Sequence, residues 1–257
     1  MRHSRRVAAD AYPDPADLFP DVAAAGGLAD VLRAAARARG LDLDVVGDEI
    51  AHAEVPTEAG GRAPLRVSAY TWERTWSMSG SGRGGGTKSR LLLTGATGDL
   101  GSIAVVAHAW QRGRSLAEIA SLAPFVALTG HLEVPDGSVA QAIASQWAYL
   151  RAGAERSDWP EYRELIETAF ARPELRALYA FTSHWTLRLQ ADDTLEQFDL
   201  VCLDAPHDGG PFTVRTRWSG ALVGETATAA EAVAVAVAHL PAAQLVRFRE
   251  AAAGDGS

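Results

Sequence analysis

With 257 residues, 47% hydrophobic and 22% charged, the chain has the balance of a globular protein of one large or two small domains. A net charge of -8 argues against binding a nucleic-acid backbone, which needs clustered Lys and Arg. A single cysteine, Cys202, excludes an internal disulfide and a cysteine-based zinc site, and no apolar run nears the ~20 residues of a membrane span. Arg2, Arg5 and Arg6 lack the apolar segment that follows in a secretory signal, so a cytoplasmic protein is expected. Basic residues are almost all Arg, with Lys88 the one lysine, a coding bias of GC-rich genomes.

Residues 1–16 are polar and proline-containing and read as a disordered leader. Asp17 or Asp21 is placed to cap a helix with Val22, Ala25, Leu28 and Leu32 at helical spacing, weakened at Gly26 and Gly27 and ending at Gly40. Leu41–Val46 reads as a short strand, and Leu65–Tyr70 with Thr75–Gly80 as an antiparallel pair. Ser79–Ser89, rich in Gly and Ser, is a connection into the strand that begins at Arg90. A helix follows from Thr97 or Asp99 to the stop at Gly113. Helical signals then continue: a capping box at Ser115 and Glu118, an amphipathic run Ser138–Ala154, a capping pair at Asp158 and Glu161 around Pro160, and a stretch opened by Pro173.

The last third alternates with period two. Phe181–Gln190 is expected as one strand, with Trp185, Leu187 and Leu189 on one face and His184, Thr186 and Arg188 on the other. Phe198–Leu203, Phe212–Trp218 and Leu222–Glu225 follow as strands, the first two joined by a turn at Asp208 and Gly209. Thr228 and Glu231 cap a final helix that ends at Leu240.

The stretch RLLLTGATGDLGSIAVVAHAW spells Thr94, Gly95, Gly98 and Gly101 at the spacing of a dehydrogenase nucleotide turn. That reading needs a parallel βαβ unit and an acidic residue ending the next strand. Neither is seen, and the Tyr-x-x-x-Lys pair of short-chain dehydrogenases is excluded because Gly84 stands four before Lys88. Instead, Ala96–Trp110 matches Ala227–Pro241, with Thr97 against Thr228 and His108 against His239. The expected fold is α+β, two related antiparallel β-meander-plus-helix units with an inserted helical segment. The boundaries are 17–114, 115–180 and 181–241, with 242–257 a tail.

Candidates for chemistry are few. His184 has the imidazole of an acid or base, and Arg188 the fork that grips a carboxylate. His108 ends the central helix beside Trp110. Trp110, Trp147, Trp185 and Thr186 are candidates for lining a substrate cleft. His131, His207 and Asp208 lack metal-ligand spacing, so neither metal nor cofactor is expected.

The strings FTSHWTLRL, DLFPDVAAAGGLADVLR, AVVAHAW and GETATAAEAVAVAVAHLP together resemble the actinobacterial proteins grouped as domain of unknown function 6193, over Asp17 to Pro241. Members are labelled natural product biosynthesis proteins, and the resemblance brings no established catalytic residues. The positions it matches are His108, Trp110, His184, Trp185, Thr186 and Arg188. The resulting expectation is a tailoring or accessory protein that holds a small molecule or modified peptide in an apolar cleft between its halves. Its chemistry would be cofactor-free acid–base work: cyclisation, elimination or isomerisation. A non-catalytic peptide-binding or partner-docking module is the alternative, with Ser138–Tyr179 as its docking surface and a neighbouring biosynthetic enzyme as partner.

Overall fold

The computed structural model describes residues 14–47, 49–82, 90–135, 137–191 and 199–242. Among them two five-stranded antiparallel sheets and nine helices give the α+β class expected. The chain divides into two compact units. The first runs to Ser81 and resumes over Leu93–Leu128; the second takes the described part of Gly82–Leu92 and the described residues from Thr129 on. The Gly-rich stretch beyond Gly82 and the tail lie outside the described residues, as does nearly all of the leader.

The first unit opens with α1 (Pro15–Leu18), capped by Asp14 rather than by Asp17 or Asp21. Next come α2 (Pro20–Ala25) and α3 (Leu28–Arg37), broken apart at Gly26 and Gly27. Those glycines have φ of 98° and 144°, which side-chain-bearing residues rarely adopt. Leu41–Val46 is not a strand. Leu43 and Val45 are buried, but the segment pairs only through the isolated bridge Val46–Glu54. The sheet then runs in sequence order: β1 (His52–Val55), β2 (Leu65–Ala69), β3 (Trp76–Gly82) and β4 (Arg90–Thr97). After β4 come α4 (Leu100–Gln111) and α5 (Leu116–Leu122), the latter with the Ser115–Glu118 capping box formed. The closing strand β5 (Val126–Leu128) pairs antiparallel with β4, so the unit extends to Leu128 and not to residue 114.

Packing explains two of the glycines in the nucleotide-like turn. A Cβ on Gly95 would stand 2.9 Å from Phe125 Cδ2, and at Gly101 the Arg39 guanidinium occupies the space a side chain would need. Both let neighbours lie against bare backbone, and no parallel βαβ unit occurs among the described residues.

The second unit begins with α6 (Val139–Glu155), capped by Ser138, then α7 (Pro160–Ala171) and α8 (Pro173–Arg176). Pro160 takes the first helical position as expected, but Trp159 is the cap and makes no side-chain cap bond, so the Asp158–Glu161 pairing does not form. A five-strand meander follows: β6 (Tyr179–Ser183), β7 (Thr186–Gln190), β8 (Val201–Asp204), β9 (Phe212–Arg215) and β10 (Leu222–Thr226). It feeds α9 (Ala229–Ala238), opened by the Thr228–Glu231 capping box. One face of the sheet buries Leu187, Leu189, Val201, Leu203, Phe212 and Val214 against Leu165 and Ile166 of α7 and Ala232, Val233 and Ala236 of α9. Each unit thus carries a meander from which one strand, β4 in the first and β10 in the second, turns into a capped helix. The cap of α4 is Asp99, two residues beyond Thr97, the residue matched to the Thr228 cap of α9.

The largest departure from the sequence expectation concerns Phe181–Gln190. This is a hairpin and not a single strand: Ser183 pairs with Thr186, Phe181 with Arg188 and Tyr179 with Gln190. His184 and Trp185 are its two loop residues.

Candidate functional site

A two-residue hairpin loop needs left-handed backbone to match the strand twist, and Asn-Gly is the usual solution. Here His184 has φ 52° and Trp185 φ 70°. Left-handed geometry costs an L-residue about 1–2 kcal/mol, so the loop is held in a conformation its own side chains resist. The hairpin sets the indole of Trp185 at the surface, 56% exposed. Its ring meets Tyr162 edge-on at 5.4 Å and Trp159 at 6.0 Å between centroids.

Behind the loop lies the polar face of the sheet. Strand alternation puts Thr186 and Arg188 of β7 on the side opposite Leu187 and Leu189, and the register brings Asp204 of β8 opposite Thr213 of β9. Asp204 accepts from the Thr186 hydroxyl through Oδ1 and from the Thr213 hydroxyl through Oδ2 at 2.9 Å. The Arg215 Nε stands 3.7 Å from Oδ2, and the Arg215 side chain makes no hydrogen bond among the described residues. Walls rise from three connections. Trp159 at the start of α7 donates its indole N–H to Pro206 O at 3.1 Å and packs on His207 at 4.0 Å. Trp218, between β9 and β10, stands 5.5 Å from the His184 ring. Together these residues enclose a cleft of about 480 Å³, open to solvent and lined by Trp159, His184, Trp185, His207, Arg215 and Trp218 around Asp204.

Arg188 does not line this cleft. Its guanidinium forks onto Asp199, Nε at 3.0 Å from both carboxylate oxygens and a terminal nitrogen at 2.8 Å from Oδ2. Phe181 and Trp218 flank it at 4.8 and 5.4 Å. Asp199 is 3% exposed; burial opposes its charge, but Arg188 and the Trp218 N–H outweigh that and hold its pKa below the usual range. Arg188 is therefore committed to a buried pair that pins the β9–β10 connection. The fork at the cleft belongs to Arg215, which Asp204 holds only loosely at 3.7 Å. Cys202, fully buried beside Asp199, has its thiol pKa pushed up by burial and is inert as a nucleophile.

Trp185 also forms a wall of a second, smaller cleft of about 330 Å³, lined by Tyr149, Leu150, Gly153, Tyr162, Thr182 and His184 as well. Tyr149 lies flat on His131, centroids 4.3 Å apart. Burial drops the His131 pKa to about 4, so that ring is neutral and serves as a platform.

The remaining sequence candidates are placed elsewhere. His108 and Trp110 sit on α4 in the first unit, where Trp110 is fully buried and donates to Ala63 O at 3.2 Å, under the Arg62 guanidinium. Trp147 is fully buried on α6, donating to Leu178 O at 3.1 Å, and forms part of an apolar groove of about 650 Å³ along α6 and α8. Of the expected set, the structure brings together His184, Trp185 and Thr186, and adds Asp204, His207, Arg215, Trp159 and Trp218. Period-two spacing of Thr213 and Arg215 was the available signal for that polar face.

Residues 141–247 match the DUF6193 family, described only as a family of unknown function. The match covers the greater part of the second unit, narrower than the resemblance drawn over Asp17 to Pro241. No curated protein and no solved structure matches the chain. Among the described residues no helix is long and apolar enough to cross a membrane.

Proposed function

We propose that this chain is a cytoplasmic tailoring or accessory protein of an actinobacterial natural-product pathway, and that the aromatic-walled cleft of about 480 Å³ in the second unit, the larger of the two that share Trp185, holds its small-molecule or modified-peptide substrate. The pathway context rests on the resemblance of the FTSHWTLRL and neighbouring strings. The binding role rests on one observation: two non-glycine residues held in left-handed backbone put an imidazole and an indole at the mouth of an aromatic-walled cleft. Strain retained at such a place is a mark of function. The substrate carries a planar group, which stacks among Trp159, Trp185 and Trp218, and a carboxylate, which Arg215 takes in a forked contact. The cleft lies within the second unit and has a polar floor, in place of the apolar cleft between halves.

His184 is the acid–base group, taking a proton from the bound substrate and returning it at another atom, as in isomerisation, elimination or cyclisation. His207 stands against Trp159 as the second imidazole of the cleft. No cofactor enters this scheme. Calorimetry with N-acetyl-L-tryptophan, which bears a planar ring and a carboxylate, tests the binding role. Arg215→Ala weakens binding about 10- to 100-fold, the worth of a charge-assisted hydrogen bond; unchanged affinity refutes the assignment. A second, non-catalytic reading is favoured by the apolar groove on α6 and α8. It makes the helices of Ser138–Tyr179 the docking face for a neighbouring pathway enzyme, and is supported if that purified enzyme binds and a charge placed on the exposed rim of the groove, Leu132→Asp, abolishes the complex.

A further inference from the structure

We propose that the smaller cleft is a second subsite for the same ligand, one that takes an aromatic or apolar arm, so that the ligand straddles Trp185. This rests on the binding role given above for the larger cleft. The two clefts share His184 and Trp185 as lining residues, one on each side of the strained loop. A ligand longer than one ring that enters the larger cleft therefore meets the rim of the smaller.

The chemistry of the two differs in a way that orients the ligand. The larger has the charged pair Asp204 and Arg215 at its floor. The smaller has no Asp, Glu, Lys or Arg in its lining and is walled by Tyr149, Tyr162, Leu150 and the other side of Trp185. Tyr149 is backed by the neutral ring of His131, so its face is presented as a flat surface. The Tyr162 ring meets Trp185 edge-on at 5.4 Å between centroids and closes another side of the cleft. Gly153 of α6 completes the lining: a Cβ there would meet nothing within 4 Å. Glycine within a helix costs up to about 1 kcal/mol relative to alanine, and Gly153, in the last turn of α6, keeps open a space that a side chain would fill. The ligand class is thus a peptide-like carboxylate with a planar terminal side chain and an apolar or aromatic group one residue away.

Three probes and one substitution test this by calorimetry. N-acetyl-L-tryptophan reports on the larger cleft alone. N-acetyl-glycyl-L-tryptophan adds backbone, and N-acetyl-L-phenylalanyl-L-tryptophan adds the arm. On the wild-type chain the phenylalanyl probe binds about tenfold or more tightly than the glycyl probe, as expected for burying part of a phenyl ring. Gly153→Phe fills the smaller cleft and brings the two dipeptides to equal affinity, leaving N-acetyl-L-tryptophan as it was. Equal affinities on the wild-type chain overturn the second subsite, whether or not the variant folds. A phenylalanyl advantage that survives Gly153→Phe also overturns it. Failure of N-acetyl-L-tryptophan to bind the wild-type chain overturns the cleft reading itself and this proposal with it.

Discussion

Replacing Trp185 by glycine and, separately, by alanine isolates the strain at the site. Both substitutions remove the indole with its contacts to Trp159 and Tyr162, so the loss of packing is common to the two and cancels in their difference. What remains is the backbone at φ 70°. An alanine held there bears the left-handed penalty of about 1–2 kcal/mol, which glycine escapes. Glycine gives back about 0.4–1 kcal/mol through its greater freedom in the unfolded chain. The difference is therefore about 1 kcal/mol, with Trp185→Gly the more stable, the reverse of the order found in a helix or a regular strand. Urea unfolding of the two variants side by side measures it from the shift in midpoint at unchanged slope. Alanine equal to or better than glycine would falsify the loop, and with it the hairpin that sets His184 and Trp185 at the cleft.

The two arginines separate in opposite senses. Arg188→Ala leaves Asp199, 3% exposed, without its partner and costs about 3–5 kcal/mol of stability, read by denaturant unfolding. Arg215→Ala breaks only a loose pair with 40% of the arginine exposed, costs about 0–1 kcal/mol, and loses ligand affinity instead. His131 makes stability depend on pH. Its pKa is about 4 in the folded chain against 6.5 ordinarily, so between those values the unfolded state binds more protons and stability falls as pH drops from 6.5 toward 4. The gap sets an upper bound of about 3 kcal/mol, reduced to about 2 because the ring is partly exposed to solvent. His131→Phe flattens this slope in urea midpoints taken across that range.

What the sequence disclosed follows the strength of the local signal. The amphipathic run of α6, the capping boxes at Ser115 and Thr228, and the pair β2 and β3 are written in spacing and cap chemistry, and stand where expected. The hairpin at His184 and Trp185 is not, because neither residue is one that favours a turn. Alternation also passes unbroken through a two-residue loop, so Phe181–Gln190 imitates one long strand. The same lack of turn chemistry that hid the loop is what makes it strained. Leu41–Val46 failed in the opposite way: it alternates, but lacks a neighbour to pair with along its length. Arg188 and Arg215 share the polar face of one sheet. Only the positions of Asp199 and Asp204 decide which of them is tightly paired and which loosely, and that is a tertiary fact.

The indole N–H signals in a two-dimensional nuclear magnetic resonance spectrum, followed while N-acetyl-L-tryptophan is added, test the cleft most directly. Trp159, Trp185 and Trp218 line it, while Trp147 lines the apolar groove with its N–H bonded to Leu178 O. The account predicts that the signals of Trp185 and Trp218 move in a saturable way and that Trp147 stays still. Movement of Trp147 with Trp185 unmoved would contradict it.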